Sequence, residues 1–358
     1  MWRWCLGVLL LVPMSVAAQT DRPVVGWENV TQLQSVGGID YADAPEEAGE
    51  LISGWLRLSS DGAQVVTINR DNDLLLWETD SGELQDVYSV RGVDAINTNM
   101  MDIAWSGDDA AIHSLHTDGT AYYVGVYSAA TGDLQVVEVP AETDAPVRVW
   151  ADADPAYTWV EVMPSDSAQT PYVLRLAVED GAVDVRQPSA PEADAEADVR
   201  IGRMPAPLAV TATEGGTVRL WDLEGGAVLA DAQVDGMPVF GHMNGAAARK
   251  LVWRDPASQE MQLLDFETGE NITVASLDGA YVQALLLAPP ADVVVGVNID
   301  FVPEVLAWEV SSGEQVRLGA YRECSRTPDM VQMSADGTTL VIGCDTGLDI
   351  WRVKEAGA

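Results

Sequence analysis

The sequence is almost without lysine. Among 358 residues only Lys250 and Lys354 carry that side chain, and Lys plus Arg total 19 against 56 Asp plus Glu, a net charge of −37. Binding to DNA or RNA through phosphates needs a surplus of Lys and Arg on one face, so this balance excludes nucleic acid as a partner. It also excludes docking on anionic lipid. Histidine is nearly as scarce, with three residues. His113 and His116 stand three apart in a predicted strand, Ala110 to Thr117, where period-two alternation puts them on opposite faces. His242 is isolated, so none of the three makes a good joint metal ligand. The three cysteines lack zinc-type spacing. There is no Gly-x-Ser-x-Gly elbow, no P-loop and no dinucleotide fingerprint. No cofactor, metal or catalytic residue set is expected.

Composition is otherwise that of a folded chain, with 47% hydrophobic and 21% charged residues. Met1-Trp2-Arg3-Trp4-Cys5 is followed by an apolar run from Leu6 to Met14 and then Ser15-Val16-Ala17-Ala18. A short positive start, a short apolar run and small residues before the cut read as a secretory signal peptide, residues 1–18, cleaved after Ala18. After it, no run is long and apolar enough to span a bilayer. Cleavage removes Arg3, so the mature charge is 18 − 56 = −38. Cys5 leaves with the signal. An exported chain that retains Cys324 and Cys344 is expected to join them in a disulfide, which contributes about 3 kcal/mol in the loop-entropy model. Asn29-Val30-Thr31 and Asn271-Ile272-Thr273 are glycosylation sequons. The acids, 34 of them Asp, concentrate in turns, so the charge reads as a coat rather than a site. A Lys-poor, Asp-rich exported chain fits salt adaptation or high solubility, with genome composition as the competing cause.

The organising feature is a repeat. Leu58-Ser59-Ser60-Asp61-Gly62 makes a turn before a β-branched run, and Asp71-Asn72-Asp73 makes another before Leu74-Leu75-Leu76-Trp77. Asp80-Ser81-Gly82 closes a third turn. The order is a four-stranded antiparallel meander. Trp77 stands five residues before Gly82. The same offset links Tyr127 to Gly132, Leu176 to Gly181, Trp221 to Gly226, Leu264 to Gly269 and Trp308 to Gly313. Trp351 ends the series, and the intervals are 50, 49, 45, 43, 44 and 43 residues. A small twisted sheet cannot bury both its faces alone, so such units stack around an axis.

Leu220-Trp221-Asp222, preceded by Gly215-Gly216-Thr217-Val218-Arg219, resembles the end of a WD40 repeat. Leu76-Trp77-Glu78, Leu306-Ala307-Trp308-Glu309 and Ile350-Trp351-Arg352 are looser forms. Met333-Ser334-Ala335-Asp336-Gly337-Thr338-Thr339-Leu340 is similar to the first turn of such a blade. The Gly-His pair of that family appears once, at Gly241-His242, so its hydrogen-bonded tetrad is largely missing. The chain looks like the divergent WD40-like propellers of exported bacterial proteins. The resemblance implies an all-β, seven-bladed β-propeller in one domain, residues 19–358. Blade cores fall near 52–88, 99–139, 146–187, 197–235, 237–278, 281–320 and 327–353. The last runs out of chain after three strands, and Asn29–Val36 is expected to supply its fourth, closing the ring. Six blades with a separate N-terminal element is the alternative count. Cys324 would enter blade seven on the face where Cys344 leaves its second strand.

The anchors Trp77, Tyr127, Leu176, Trp221, Leu264, Trp308 and Trp351 repeat with the fold and are expected in the core, as are Trp105, Trp150, Trp159 and Trp253. A recognition site is expected on the rim formed by loops after the second strands. It carries Arg70, Asn72, Asp118, Glu214, Arg254, Asp255, Asp300, Phe301 and Asp345, with Phe301 as the aromatic anchor. Asp71-Asn72-Asp73 has the look of a calcium loop without its Gly and Glu, and reads as a polar turn, as does Asp152-Ala153-Asp154-Pro155. Gln187–Asp198 is a Pro-, Ala- and acid-rich spacer. The leading expectation is an exported, non-catalytic, monomeric binding or scaffold propeller that meets a protein or peptide. The alternative is a propeller hydrolase or lyase with a metal-assisted site at the axis, where the inner strands bring Arg57, Asp102, Arg148 and Gln283.

Overall fold

The computed structural model describes residues 22–89, 99–140, 144–152, 154–165, 171–179, 181–186, 199–203, 208–213, 215–234, 249–255, 257–277, 282–299, 303–321 and 330–354. Within these, the strands fall into seven separate antiparallel sheets. Blade one is Leu51–Leu58, Gln64–Asn69, Leu74–Glu78 and Leu84–Tyr88. Blade two is Asn99–Trp105, Ala111–Thr117, Tyr122–Ser128 and Leu134–Val139. Blade three is Ala145–Ala151, Tyr157–Met163, Tyr172–Ala177 and Val183–Arg186. Blade four is Val199–Arg203, Leu208–Thr213, Thr217–Asp222 and Ala227–Gln233. Blade five shows Lys250–Arg254, Glu260–Asp265 and Glu270–Ser276 among the described residues. Blade six is Val282–Leu287, Val293–Asn298, Glu304–Glu309 and Gln315–Ala320. Blade seven runs Met330–Met333, Thr339–Cys344 and Gly347–Val353, and its outer strand is Leu33–Asp40 from the other end of the chain. The count is seven, and the six-blade alternative is set aside.

Two turns built from sequence make each meander. Between first and second strands, the hydroxyls of Ser59, Ser106 and Ser334 accept the backbone N–H five residues on, at 2.9, 2.8 and 3.0 Å. Between third and outer strands, the N–H of Gly82, Gly132, Gly181, Gly269 and Gly313 donates to the carbonyl four residues back. Each of these glycines has φ near +70°, a conformation that side chains disfavour. That geometry is why the Gly recurs five residues after each anchor.

The second strands are β-branched and buried on both faces, as in Val293–Asn298 and Thr339–Cys344. The outer strands are polar and largely exposed, as in Ala227–Gln233. All seven anchors are buried. The core lies between blades. Leu74, Leu76 and Tyr88 of blade one pack with Ile103, Ile112 and Tyr127 of blade two. The ring closes where Val341, Leu348 and Ile350 of blade seven meet Leu56, Leu75 and Trp77 of blade one.

The closing strand begins four residues later than Asn29. Asn29 accepts the Gly26 N–H at 2.9 Å and donates its amide to the Val24 carbonyl at 2.8 Å. Those bonds hold a turn, and Val30–Gln32 form a short 3-10 segment before the strand starts. Upstream of it, residues 22–28 make a strap across the closure. Arg22 pairs with Asp80 of blade one at 2.6 Å, Val25 N–H donates to Gly337 of blade seven at 2.9 Å, and Trp27 N–H donates to Asp292 of blade six at 3.1 Å.

Candidate functional site

Aspartate is the residue that shapes the loops. Asp61, Asp108, Asp118, Asp154, Asp255 and Asp336 each accept, on a side-chain oxygen, the backbone N–H two residues on, at 2.7–3.1 Å. A carboxylate one methylene longer does not close this ring as well, which gives the Asp bias a structural use.

Of the predicted rim residues, Arg70, Asn72, Asp118, Asp255 and Asp345 lie in described turns after strands, and Arg254 ends the strand Lys250–Arg254. Arg70 is exposed and pairs with Glu50 at 2.6 Å. Asn72 has φ of 64° and its side-chain oxygen lies 3.5 Å from Met100 N, so this loop leans on the start of blade two. Asp118 is fully committed to its own turn. It accepts from Thr120 N, Thr120 Oγ1 and Ala121 N, each at 2.7 Å. Those donors, the Thr120 hydroxyl foremost, pull its carboxyl down to about 2. Asp255 likewise accepts from Ser258 Oγ at 2.7 Å and Ala257 N at 2.8 Å, and sits below the usual carboxylate range. Arg254 and Asp345 are half-buried at the ends of their strands. Thr346, beside Asp345, accepts the Tyr41 N–H at 3.1 Å. Glu214, Asp300 and Phe301 lie outside the described residues, as do the signal segment, Cys324, His242 and the 187–198 spacer. The backbone N–H groups of Asp71 and Asp73 both donate to Asn69 Oδ1 at 2.9 Å, which is the polar turn expected there.

Three inner-strand polar residues, Arg57, Asp102 and Gln332, join blades. Arg57 Nη2 meets Asp102 Oδ1 at 2.7 Å, and Asp102 Oδ2 accepts the Val149 N–H at 2.9 Å, so one carboxylate ties blades one, two and three. Burial, then the nearby charge of Arg148, lowers Arg57 to about 10. Arg148 pairs with Glu161 at 3.4 Å. Gln332 of blade seven accepts from Leu58 N at 2.9 Å and donates to Leu56 O at 3.1 Å. The side chain of Gln283 is outside the described set. Among the described residues no three His, Cys, Asp or Glu side chains come within joint metal-ligand reach. Asp102→Ala is expected to cost about 3–5 kcal/mol, because it strands a buried guanidinium and a buried N–H. Urea unfolding at pH 7 measures this, and an unchanged midpoint would mean the tie is idle.

Two of the anchors make the same side-chain bond. The indole N–H of Trp77 donates to Thr67 Oγ1 at 2.8 Å, and Trp221 repeats the bond to Thr211 Oγ1 at 2.8 Å. No protein-family model matches the sequence, and no curated protein does. Among solved structures, the chain is similar to the β-propeller domain of Cps50 (Swd1) from Myceliophteria thermophila. The two share 12% identity over 90% of this chain and all (100%) of that one, with a TM-score of 0.63. The chain is a WD40-like seven-bladed β-propeller. At that identity the likeness carries the fold alone, and this propeller's function has to be argued from its own residues.

Proposed function

We propose that this propeller is an exported, non-catalytic binding module of bacterial type that docks a protein or peptide on the rim of second-strand loops. One observation carries the reading: among the described inner-strand polar residues, Arg57, Asp102 and Gln332 are consumed in joining blades, and Arg148 is paired with Glu161 of its own blade. The rim of second-strand loops supports recognition because Asp118 and Asp255 hold their loops in shape by accepting backbone N–H bonds. The signal-like start supports export. Cys344 is buried and disulfide-bonded, which supports a Cys324–Cys344 bridge holding blade seven beside the closure. The net charge of −37 suits a basic partner surface steered in at low salt.

The test immobilises mature protein and passes an extracellular fraction over it at low ionic strength. A retained protein that is lost with Asp345→Arg or Phe301→Ala, and that elutes with salt, is the expected result. Retention indifferent to both rim changes, or hydrolytic turnover by the purified protein, would overturn the reading.

A further inference from the structure

Each blade ends in an outer strand, and the one in blade four differs from its six counterparts. Ala227–Gln233 is the last strand of its sheet, and no further strand pairs with it among the described residues. Sheet edges are ordinarily blunted by Lys, Pro or several charges. This one reads Ala-Val-Leu-Ala-Asp-Ala-Gln, with no Lys, no Pro and one charge, Asp231. Val228 and Leu229 stand side by side on it, 44% and 42% exposed. Among the described residues, no other outer strand presents two large apolar side chains to this extent.

A bulge produces the display. Leu220 pairs with Ala230 and Trp221 with Val228, so Leu229 is the extra residue. Bulges re-aim the side chains beside them. Past the bulge, residues 230–233 run in regular register against residues 217–220. Alternate N–H and C=O groups there point away from the sheet, as on any edge strand. Trp221, opposite Val228, is 8% exposed, against 1% for Trp77 and Trp308 and 2% for Trp351. Trp221 shares a face with its cross-strand partner Ala209, which packs with blade three. Blade three ends there in Val183–Arg186, at four residues the shortest of the described outer strands. A four-residue strand beside a seven-residue one leaves part of the longer strand uncovered.

Acids bracket the apolar pair. Asp222 ends the preceding strand, Glu224 is exposed in the turn between, and Asp231 follows, with Arg219 opposite Asp231. The chain as a whole carries −37. A segment with Lys or Arg beside its apolar residues complements such an edge.

We propose that the outer edge of blade four takes an extended, basic segment of a protein partner as an added strand. Main-chain hydrogen bonds to residues 230–233 hold it, an apolar side chain covers Val228, Leu229 and the exposed edge of Trp221, and flanking Lys or Arg side chains meet Asp222, Glu224 and Asp231. The edge lies on the circumference of the ring, apart from the second-strand rim, and does not depend on it.

The probe is acetyl-Lys-Val-Lys-Val-Lys-Val-amide. The control has the same side chains and charge, with its backbone nitrogens methylated so that it donates no main-chain bond. Binding is read by amide hydrogen exchange of the mature protein. The probe is expected to slow exchange saturably in residues 227–233 and to leave Leu134–Val139, the outer strand of blade two, unchanged. The methylated control is expected to leave both strands unchanged. Val228→Thr with Leu229→Ser keeps the strand and removes its exposed apolar surface. This double variant is expected to weaken binding of the probe at least about tenfold, with the thermal transition unmoved. Asp345→Arg on the rim should leave the titration as it is, which separates this edge from the rim reading. No saturable protection at 227–233, equal protection by the methylated control, or indifference to the double variant would overturn the proposal. Protection that appears on concentrating the protein without probe would give the edge to a second copy, and full protection at the outset would mean that the edge is already covered; either result overturns it as well.

Discussion

Removing residues 19–40 is expected to unfold the propeller rather than trim it. Leu33–Asp40 is the outer strand of blade seven, paired from Leu33 opposite Val353 to Asp40 opposite Gly347. Its side chains serve two seams at once. Leu33, with Val25 and Val30 before it, is buried in the cluster between blades six and seven. Ile39 is buried in the cluster between blades seven and one. Each such side chain contributes about 1.5–3 kcal/mol on burial. Four of them approach the ~5–15 kcal/mol by which a whole domain is stable. The strap adds polar ties to blades one, seven and six. The shortened chain should lose its cooperative thermal transition and expose apolar surface to a dye. An intact transition at an unchanged temperature would show that the ring closes without this segment.

A point variant reaches the same seam without deleting anything. A Cβ at Gly38 would stand 2.3 Å from the Leu348 carbonyl oxygen, closer than two atoms can sit. Gly38→Val should therefore part the closing strand from its neighbour and lower stability by about 1–3 kcal/mol. Gly37→Val is the control, since its Cβ would meet nothing within 4 Å.

The repeat was legible because its punctuation is physical. A positive-φ turn needs Gly, and a Ser hydroxyl that receives an N–H five residues on needs Ser. The Gly therefore recurs five residues after Trp77, Trp221 and Trp308 and also after Leu176 and Leu264, where the anchor is not an indole, while the Ser recurs in blades one, two and seven as Ser59, Ser106 and Ser334. Closure was legible too, since blade seven lacked a strand, but the start of that strand was not. Asn29 reads as an ordinary strand residue until its side chain is seen capping Gly26. The strap had no sequence signal at all. Arg22, Val25 and Trp27 occur once, outside the period, and meet partners 39 to 312 residues away. Inner-strand Arg57 and Asp102 were visible as polar residues near the axis, but a sequence does not say whether two such groups face a channel or each other. The Asp excess looks in the sequence like a coat; the turns show several of these carboxylates accepting backbone N–H bonds.

Acidification should weaken the fold well before its carboxylates titrate fully, through two histidines. His113 and His116 lie in the second strand of blade two, and both are wholly buried, because a strand in that position is covered on both faces. His113 has neither ring nitrogen hydrogen-bonded, and His116 meets only Ser114 Oγ, at 2.7 Å through Nε2. Burial lowers each from 6.5 to about 4, and for His113 the charges of Asp108 and Asp152 only partly offset it. Between those values the unfolded chain binds protons that the folded chain does not. Stability is therefore full above about pH 6.5, falls as pH drops from 6.5 toward 4, and stops falling on this account below 4. Each site should remove on the order of 3 kcal/mol across that window. Buried Glu161, held above the usual carboxylate range by desolvation, titrates in the opposite sense, so the histidine share is read by difference. His113→Phe leaves no buried ring nitrogen unpaired and should flatten the slope of unfolding free energy between pH 6.5 and 4 by about half, with little loss at pH 7. His116→Leu should remove the other half at a somewhat higher cost at pH 7, since it forfeits the Ser114 bond. Urea unfolding at half-unit pH steps decides the matter: parallel slopes for the parent and both variants would mean that the histidines take up protons in the folded ring after all.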